Sequence, residues 1–490
     1  MNYSQFLNMM PEAFLVLELI ILFVADFCLT RSTLKLDKLW MVTVGALVMQ
    51  TCLLFGAQPA EAFGGLYVAT PMVNVMKIIL TGGSLVVVIM SRTWLHTNSR
   101  YCGEFFMLVL STLLGMYVMM SSGSFLLFFL GLEMASVPMA CLVAFDKLRR
   151  DSAEAAAKYI LVATFSSGVM LFGISFVYAA TGSLYFDDIA EQMTIGHQLP
   201  LKMMGLVFFF SGLGFKLSLV PFHFWTADTY QGAPTPVTGY LSVISKGAAA
   251  LTLFIILNKV FASMTDYWQP MLWIVIVLSI TVANLFAIRQ QELKRFMAFS
   301  SISQAGYIML ALIGSNPQTG SAALMFYVLV YIVANMAVFT VISAVEHADV
   351  TPAGAGKDSR TQISAYNGLY QTNPKLAFLM TLALFSLGGI PPFAGMFSKF
   401  FVFLAAVDGN TAEPFWSYLV VFVALVNTVV SLYYYLLIVK AMYISREEHP
   451  LPAFRTDSST RLALAVCTLG IALCGVCSYV YDWIFSASAM

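Results

Sequence analysis

Four lysines interrupt long apolar runs: Lys77, Lys216, Lys246 and Lys399. An acid, Glu133, does the same in LLFFLGLEMASVPMACLVAF, and Glu18 and Asp26 lie nearer the ends of the first run. Each charged side chain at the centre of a bilayer costs about 2.5–3.5 kcal/mol on insertion scales, so these four lysines and Glu133 together oppose insertion by roughly 12–18 kcal/mol. They must face a protein interior, pair with one another, or line water. Lysine in that setting suits proton transfer. Desolvation lowers the pKa of an ammonium and a neighbouring carboxylate raises it, so alternating surroundings let one side chain take up and release a proton. Arginine stays charged, and none of the four is arginine. Lys77 is the simplest to read otherwise. It lies one turn into its run, where its stem can snorkel to an interface.

Prolines accompany two of these lysines. Pro221 follows Lys216 by five residues, and Pro391 and Pro392 precede Lys399 in LALFSLGGIPPFAGMFSKF. Proline removes a backbone hydrogen bond and breaks a helix. Within a membrane such a break is tolerated only where it is buried or lines a cavity, and discontinuous helices are a recurrent device of ion transporters. LVPF at 219–222 and GIPPF at 389–393 share the order apolar residue, proline, phenylalanine. His223, two residues past the first break, is a candidate for the same proton path. His96, His197, His347 and His449 fall in connections and read as ordinary surface histidines.

The composition supplies the frame that positions these groups. The chain has 490 residues, 60% hydrophobic and only 10% charged, with a mean hydropathy of +0.83. Soluble domains are about a quarter charged. A polytopic membrane protein follows, and the zero net charge gives no reason to expect a nucleic-acid partner. Apolar runs long enough to span recur near 9–29, 39–56, 72–91, 104–121, 124–146, 157–180, 203–222, 236–262, 269–288, 297–315, 321–346, 375–407, 414–444 and 461–485. The expected fold is therefore all-α, with about fourteen transmembrane helices. Helices 4–8 and 9–13 read as two five-helix repeats, each containing one broken helix. Five is odd, so the second repeat enters from the opposite side and the two are inverted. In this division residues 1–100 hold three N-terminal helices, 101–262 the first repeat, 263–444 the second, and 445–490 a C-terminal helix. Lysine and arginine concentrate in the connections after odd-numbered helices, which include Arg31, Arg100, Lys147, Lys294, Lys357 and Arg446. The connections after even-numbered helices hold only Lys202 and Lys259. By the positive-inside rule the odd connections are cytoplasmic and both termini lie outside. The N-terminal run has no preceding Lys or Arg, so it reads as a first span rather than a cleaved signal.

Other chemistry is poorly supported. Cys474 and Cys477 form a C-x-x-C without nearby ligands and read as two small buried residues. No P-loop, dinucleotide fingerprint or cysteine cluster occurs, so redox chemistry would belong to another subunit. The segment 183–200 reads as an exterior connection, and ISAYNGLY at 363–370 as a helical stretch on the cytoplasmic surface.

FKLSLVPFHFWTADTYQGAPTPVT, AAAKYILVATFSSGVMLFGISFVY, LKRFMAFSSISQAGY and LFSLGGIPPFAGMFSKFFVF together resemble the antiporter-like membrane subunits of bacterial respiratory complex I, the NADH–quinone oxidoreductase. The resemblance covers most of the chain and is weakest in the first three helices and the last. It implies that Glu133 pairs with Lys216, that Lys246 is a central relay, and that Lys399 is the terminal carrier on the exit side. Lys158 matches a further family lysine near the cytoplasmic side. It also implies that quinone reduction elsewhere drives protons through this chain. NADH, FMN, iron–sulfur clusters and quinone would reside in other subunits, with no cofactor or metal here. The partners would be lipids, subunit M and the small hydrophobic subunits, in the bacterial inner membrane. Two other readings stay open: a subunit of a multi-subunit sodium/proton antiporter without redox chemistry, and a structural spacer whose lysines are fixed ion pairs. Tyr230, Gln231, Gly232, Ala233 and Pro234 argue against the antiporter, and the insertion cost of so many charges argues against the spacer.

Overall fold

The computed structural model describes residues 3–29, 34–96, 101–195, 198–348, 360–408, 414–445 and 451–488. Arg31, Arg100, His197, Lys357, Arg446 and His449, used above, lie outside the described residues. The chain is overwhelmingly helical. Three helices, α1 (Met10–Cys28), α2 (Lys35–Phe55) and α3 (Pro71–Leu95), lead into α4 (Cys102–Met120), α5 (Phe125–Val143) and α6 (Arg150–Thr181). A short α7 (Phe186–Met193) precedes the interrupted pair α8 (Leu199–Leu217) and α9 (Phe224–Gly232), then α10 (Thr235–Lys259). Next come α11 (Thr265–Ile288), α12 (Leu293–Met309), α13 (Pro317–Glu346) and the four-residue α14 (Leu369–Thr372). The second interrupted pair is α15 (Pro374–Gly388) and α16 (Ala394–Val407), followed by α17 (Pro414–Tyr443), α18 (Ser458–Val476) and α19 (Tyr479–Ala487).

Among the described residues twelve helices are long and apolar enough to cross a membrane. The remaining expected spans are the shorter α12 and the α15–α16 pair. Starts are set locally. Thr70 and Ser124 accept from the backbone N–H of Val73 and Leu127, and proline occupies the first turn of α3, α10 and α13, where its missing N–H costs nothing.

Burial runs in the sense expected for a bundle in lipid. α10 and α13 are enclosed on almost every side, whereas α1, α2, α6, α11 and α17 turn large apolar side chains outward. Without a hydrophobic force between helices, close approach relies on small residues. Gly115 of α4 lies against the backbone of Ala135, and Gly131 of α5 against that of Met119. Gly173 of α6 and Gly205 of α8 make the same kind of contact.

Several expectations from the sequence are corrected. A two-stranded antiparallel hairpin, β1 (Ala60–Ala62) with β2 (Tyr67–Ala69), joins α2 to α3. Phe63, Gly64 and Gly65 in its turn are all left-handed, and so short a hairpin leaves little alternation to read. The run 461–485 is two helices, divided at Cys477 and Ser478. Cys474 is buried but Cys477 is exposed, and both are free thiols. The 183–200 connection contains α7. Residues 363–370 form a turn of 3-10 helix (Ile363–Tyr366) and the start of α14, with Tyr366 and Leu369 buried on one side and Ser364 and Tyr370 exposed on the other.

A side chain at Gly115 would place its Cβ 2.3 Å from the Ala135 nitrogen. Gly115→Val should therefore force α4 and α5 apart, at a cost of about 2–3 kcal/mol. The expected result is a clear fall in the melting temperature of the detergent-solubilised protein; an unchanged melting temperature would mean that this crossing is not tight.

Candidate proton-transfer site

Both interrupted helices are closed by the same backbone device. α8 ends in left-handed Ser218 (φ 61°), and α15 in left-handed Gly389 (φ 83°). Leu219 N–H then donates to Gly214 O at 2.9 Å, and Ile390 N–H to Phe385 O at 3.1 Å. These are the six-to-one bonds of a Schellman cap, which satisfies carbonyls that a broken helix would leave bare. Phe222 N–H returns to Leu219 O and Phe393 N–H to Ile390 O, across the cis prolines Pro221 and Pro392. One sequence offset carries Ser218 to Gly389, Pro221 to Pro392 and Phe222 to Phe393. The same offset carries Glu133 to Gln304 and Ser136 to Tyr307.

The lysines sit around these breaks. Lys216, in the last turn of α8, donates to Ser136 Oγ of α5 at 2.8 Å. Glu133, one turn before Ser136, lies within electrostatic reach of Lys216 and Tyr159. The implied Glu133–Lys216 ion pair is nevertheless not closed: Glu133 Oε1 has no hydrogen-bond partner, and the lysine has taken the serine instead. Lys246, in the middle of α10, donates to Ser301 Oγ of α12 at 2.7 Å, with the Tyr230 ring centroid 5.5 Å away. Ser301 in turn reaches Ser242 O and the Tyr230 hydroxyl. Lys399, in α16, donates to Gly388 O at 3.2 Å and lies 4.9 Å from the Tyr307 ring centroid. Gly389 leaves room for it, because a Cβ there would stand 3.1 Å from Lys399 Cδ. Beside Lys399, Gln304 bonds to Leu387 O, Tyr435 and Tyr327. An amide thus occupies the place that Glu133 holds at the first break.

Each of the three lysines is at least nine-tenths buried, yet none has a carboxylate within 4 Å among the described residues. Each finds one oxygen acceptor for its three N–H donors. The sequence reading missed those acceptors. Ser136 lies one helical turn beyond Glu133, and the run SSISQ in α12 places Ser301 and Gln304 on buried faces. Polar residues at helical spacing within a span were the available signal.

The other flagged residues divide. His223 is buried at the end of the first break with no partner for Nδ1, and it bonds none of the lysines. Lys158 is ion-paired with Asp228 at 2.8 Å and with Glu154 at 2.7 Å, and Arg295 binds the other oxygen of Asp228 at 2.7 Å. That network ties α9 to α6 and α12. Lys77 does not snorkel: it is fully buried and paired with Glu12 at 2.6 Å. Two lysines counted as connection charges are also buried. Lys202 donates to the carbonyls of Gln192, Met193 and Ile195, holding the end of α7. Lys294 donates to Ala233 O and stands 3.8 Å from Glu346, which accepts from Thr235. A cavity of about 1100 Å³ opens beside Lys294, Glu346 and His347. Nearby, burial pushes the Glu292 carboxyl up, against the pull of Lys294. Among the described residues no group of His, Cys, Asp and Glu is placed to hold a metal ion.

Residues 122–430 match the family model described as NADH:quinone oxidoreductase/Mrp antiporter, transmembrane. The NADH-quinone oxidoreductase subunit N of Phocaeicola vulgatus is 56% identical over 486 residues, 98% of each chain. The chain belongs to the NADH-quinone oxidoreductase subunit N family. A chain of respiratory complex I from Thermus thermophilus, solved with bound aureothin, superposes with a TM-score of 0.78 at 31% identity, covering 96% of this chain and 98% of that one. A chain of the Mrp complex from a Dietzia species superposes with a TM-score of 0.80 at 20% identity, covering 99% and 97%, and shares the fold. The family model begins after α4, so α1 to α4 lie outside the segment it matches.

Ser301 is the acceptor on which Lys246 depends. Ser301→Ala should slow NADH-driven proton transport about tenfold, the kinetic equivalent of one hydrogen bond to a charged group. Proton uptake by inverted membrane vesicles measures it; an unchanged rate would remove Ser301 from the site.

Proposed function

We propose that this chain moves protons across the bacterial inner membrane as a subunit of NADH–quinone oxidoreductase, along a path through Glu133, Lys216, Lys246 and Lys399. One observation carries the reading: three fully enclosed lysines, each bonded to a single neutral oxygen, on helices that meet at two broken segments. An ammonium so placed has donors to spare, so water or a neighbour's charge can decide whether it keeps its proton. Glu133 is the acid whose approach to Lys216 favours the charged lysine. Closing and opening that pair is the switch in this reading, and the Ser136 bond is its open state. Lys246 hands on through Ser301 and Tyr230, and Lys399 releases the proton at the second break. His223 and Lys158 flank the path. Lys158 acts by anchoring Asp228 and so holding α9 in place. Quinone reduction in another subunit supplies the energy, and NADH, FMN, iron–sulfur clusters and quinone bind there rather than here.

The matched Schellman caps support fourteen crossings and two inverted repeats, 101–262 and 263–444. The charge bias supports cytoplasmic odd-numbered connections and outside termini. Subunit M and the small hydrophobic subunits are the neighbours this reading calls for. The shared Mrp fold keeps a sodium/proton antiporter subunit as the competing reading. Purifying the tagged chain in mild detergent separates the two. NADH–quinone oxidoreductase activity should accompany it; membrane partners without that activity would favour the antiporter.

Within the assembled complex, Lys246→Arg should keep the charge and the fold but abolish proton transport, because a guanidinium does not release its proton. Proton transport equal to wild type would show that Lys246 need not titrate. Cysteine labelling should reach residues 147–155 from the cytoplasm and 187–195 from outside; the reverse pattern would invert the orientation.

A further inference from the structure

A second buried polar cluster lies among the N-terminal helices. The inward face of α1 carries Glu12, Leu15, Glu18 and Leu22, a spacing that puts them on one stripe of the helix. Glu12 Oε1 binds Lys77 Nζ at 2.6 Å, and Glu12 Oε2 accepts from the Tyr67 hydroxyl at 2.9 Å. Lys77 also reaches that hydroxyl at 3.3 Å, closing a triangle in which each of the three residues is at most 3% exposed. Glu18 is as deeply enclosed, at 2%, but neither carboxyl oxygen has a partner. Gln50 of α2, bonded through Nε2 to Pro11 O, leaves its Oε1 unpartnered as well. Tyr117 of α4 bonds Thr81 and lies within electrostatic reach of both Glu12 and Glu18.

Other charges around this cluster are engaged or remote. Asp26 of α1, two turns beyond Glu18, pairs with Lys35. Asp37 of α2 pairs with Arg92 of α3. Glu104 of α4 is exposed at the far end of its helix. Lys77 is the cation bonded within this cluster, and Glu12 already occupies it. A second carboxylate left ionised and unpaired in this enclosure would be very costly.

We propose that Glu18 carries a proton in the resting protein and exchanges it with the Glu12–Lys77–Tyr67 triad, forming a second proton-holding site beside the lysine chain. The transfer breaks the O–H bond of Glu18 and forms one on the Glu12 carboxylate, so the total charge of the cluster does not change, and because an unpaired Glu18 carboxylate is costly it exists only in passing, until the proton returns. The Tyr117 hydroxyl, bonded to Thr81 and within electrostatic reach of both acids, relays the proton in this proposal, taking that of Glu18 as it gives its own to Glu12. Lys77 remains an ammonium throughout and holds Glu12 in position. The cluster is one helix layer from the central carrier. Gly247, next to Lys246, packs against Met76 and Leu80, which flank Lys77, and a Cβ there would stand 3.2 Å from Met76 Cε. A charge moving between Glu18 and Glu12 therefore changes the field across that contact.

Infrared difference spectroscopy on the whole purified complex tests this without relying on the lysine chain. The carbonyl band of a protonated carboxylic acid should be present at neutral pH. It should shift when the complex turns over NADH in deuterated water, and Glu18→Gln should abolish it. If the Gln variant does not assemble, Glu18→Leu, which suits an apolar enclosure, should remove the same band. No band lost in the assembled variant would show Glu18 to be ionised and overturn the proposal. A band that is lost in the variant but does not shift in deuterated water would show a locked proton and overturn the exchange. Neither result bears on whether Lys246 pumps, so this site and the lysine path fail independently.

Discussion

An unpaired backbone group is costly in hydrocarbon, and the two breaks in this bundle are organised by that constraint. A backbone N–H or carbonyl without a partner costs several kcal/mol there, so a helix can be opened only where its loose ends are closed again. Both breaks meet the requirement with a left-handed residue at the matching position, Ser218 or Gly389, the same six-to-one bond and the same return bond from phenylalanine. Once closed in this way, each break leaves a gap in the helix wall at bilayer depth. Lys216 and Lys399 are stationed at the edges of those gaps, and Lys246 lies on the unbroken α10.

The two halves use one backbone solution with the charge on opposite sides of it. Lys216 precedes its break and Lys399 follows its own. The position that corresponds to Lys399 in the first half is Asp228, which is clamped between Lys158 and Arg295. The position that corresponds to Glu133 in the second half is Gln304, whose amide is fully engaged with Leu387, Tyr435 and Tyr327. A carboxylate can close on Lys216, whereas no equivalent acid faces Lys399. The two breaks are therefore built alike but not charged alike, and among the described residues Lys399 has no carboxylate within 4 Å.

Much of this was legible in the sequence because the penalty for a buried charge is large enough to make every such residue conspicuous. Lys216, Lys246 and Lys399 stood out against apolar runs, and the prolines marked the gaps within two or three residues. What the sequence concealed was the partner in each case. Ser136, Ser301 and the Gly388 carbonyl are neutral, common in any helix, and distant along the chain from the lysine they serve. Lys77 was misread for the same reason: its partner Glu12 is on another helix, and only the packing of α1 and α3 against α2 and α4 brings the pair together. Lys202 and Lys294 were misplaced because they stand at helix starts, where a charge normally reaches water, but here a neighbouring segment folds over them.

The count of satisfied donors separates these lysines by role better than burial does. Lys202 spends its three N–H groups on three carbonyls, and Lys77 binds an acid and a phenol. Both are therefore held by several bonds at once, and each ties its helix to a neighbouring segment. Lys216, Lys246 and Lys399 are equally enclosed but each holds one neutral oxygen. A serine hydroxyl can turn to donate where it had accepted, so Lys216 and Lys246 can lose a proton without leaving an orphan behind. Enclosure makes the charge expensive and sparse bonding makes it dispensable. A side chain that must change its charge on every cycle needs both.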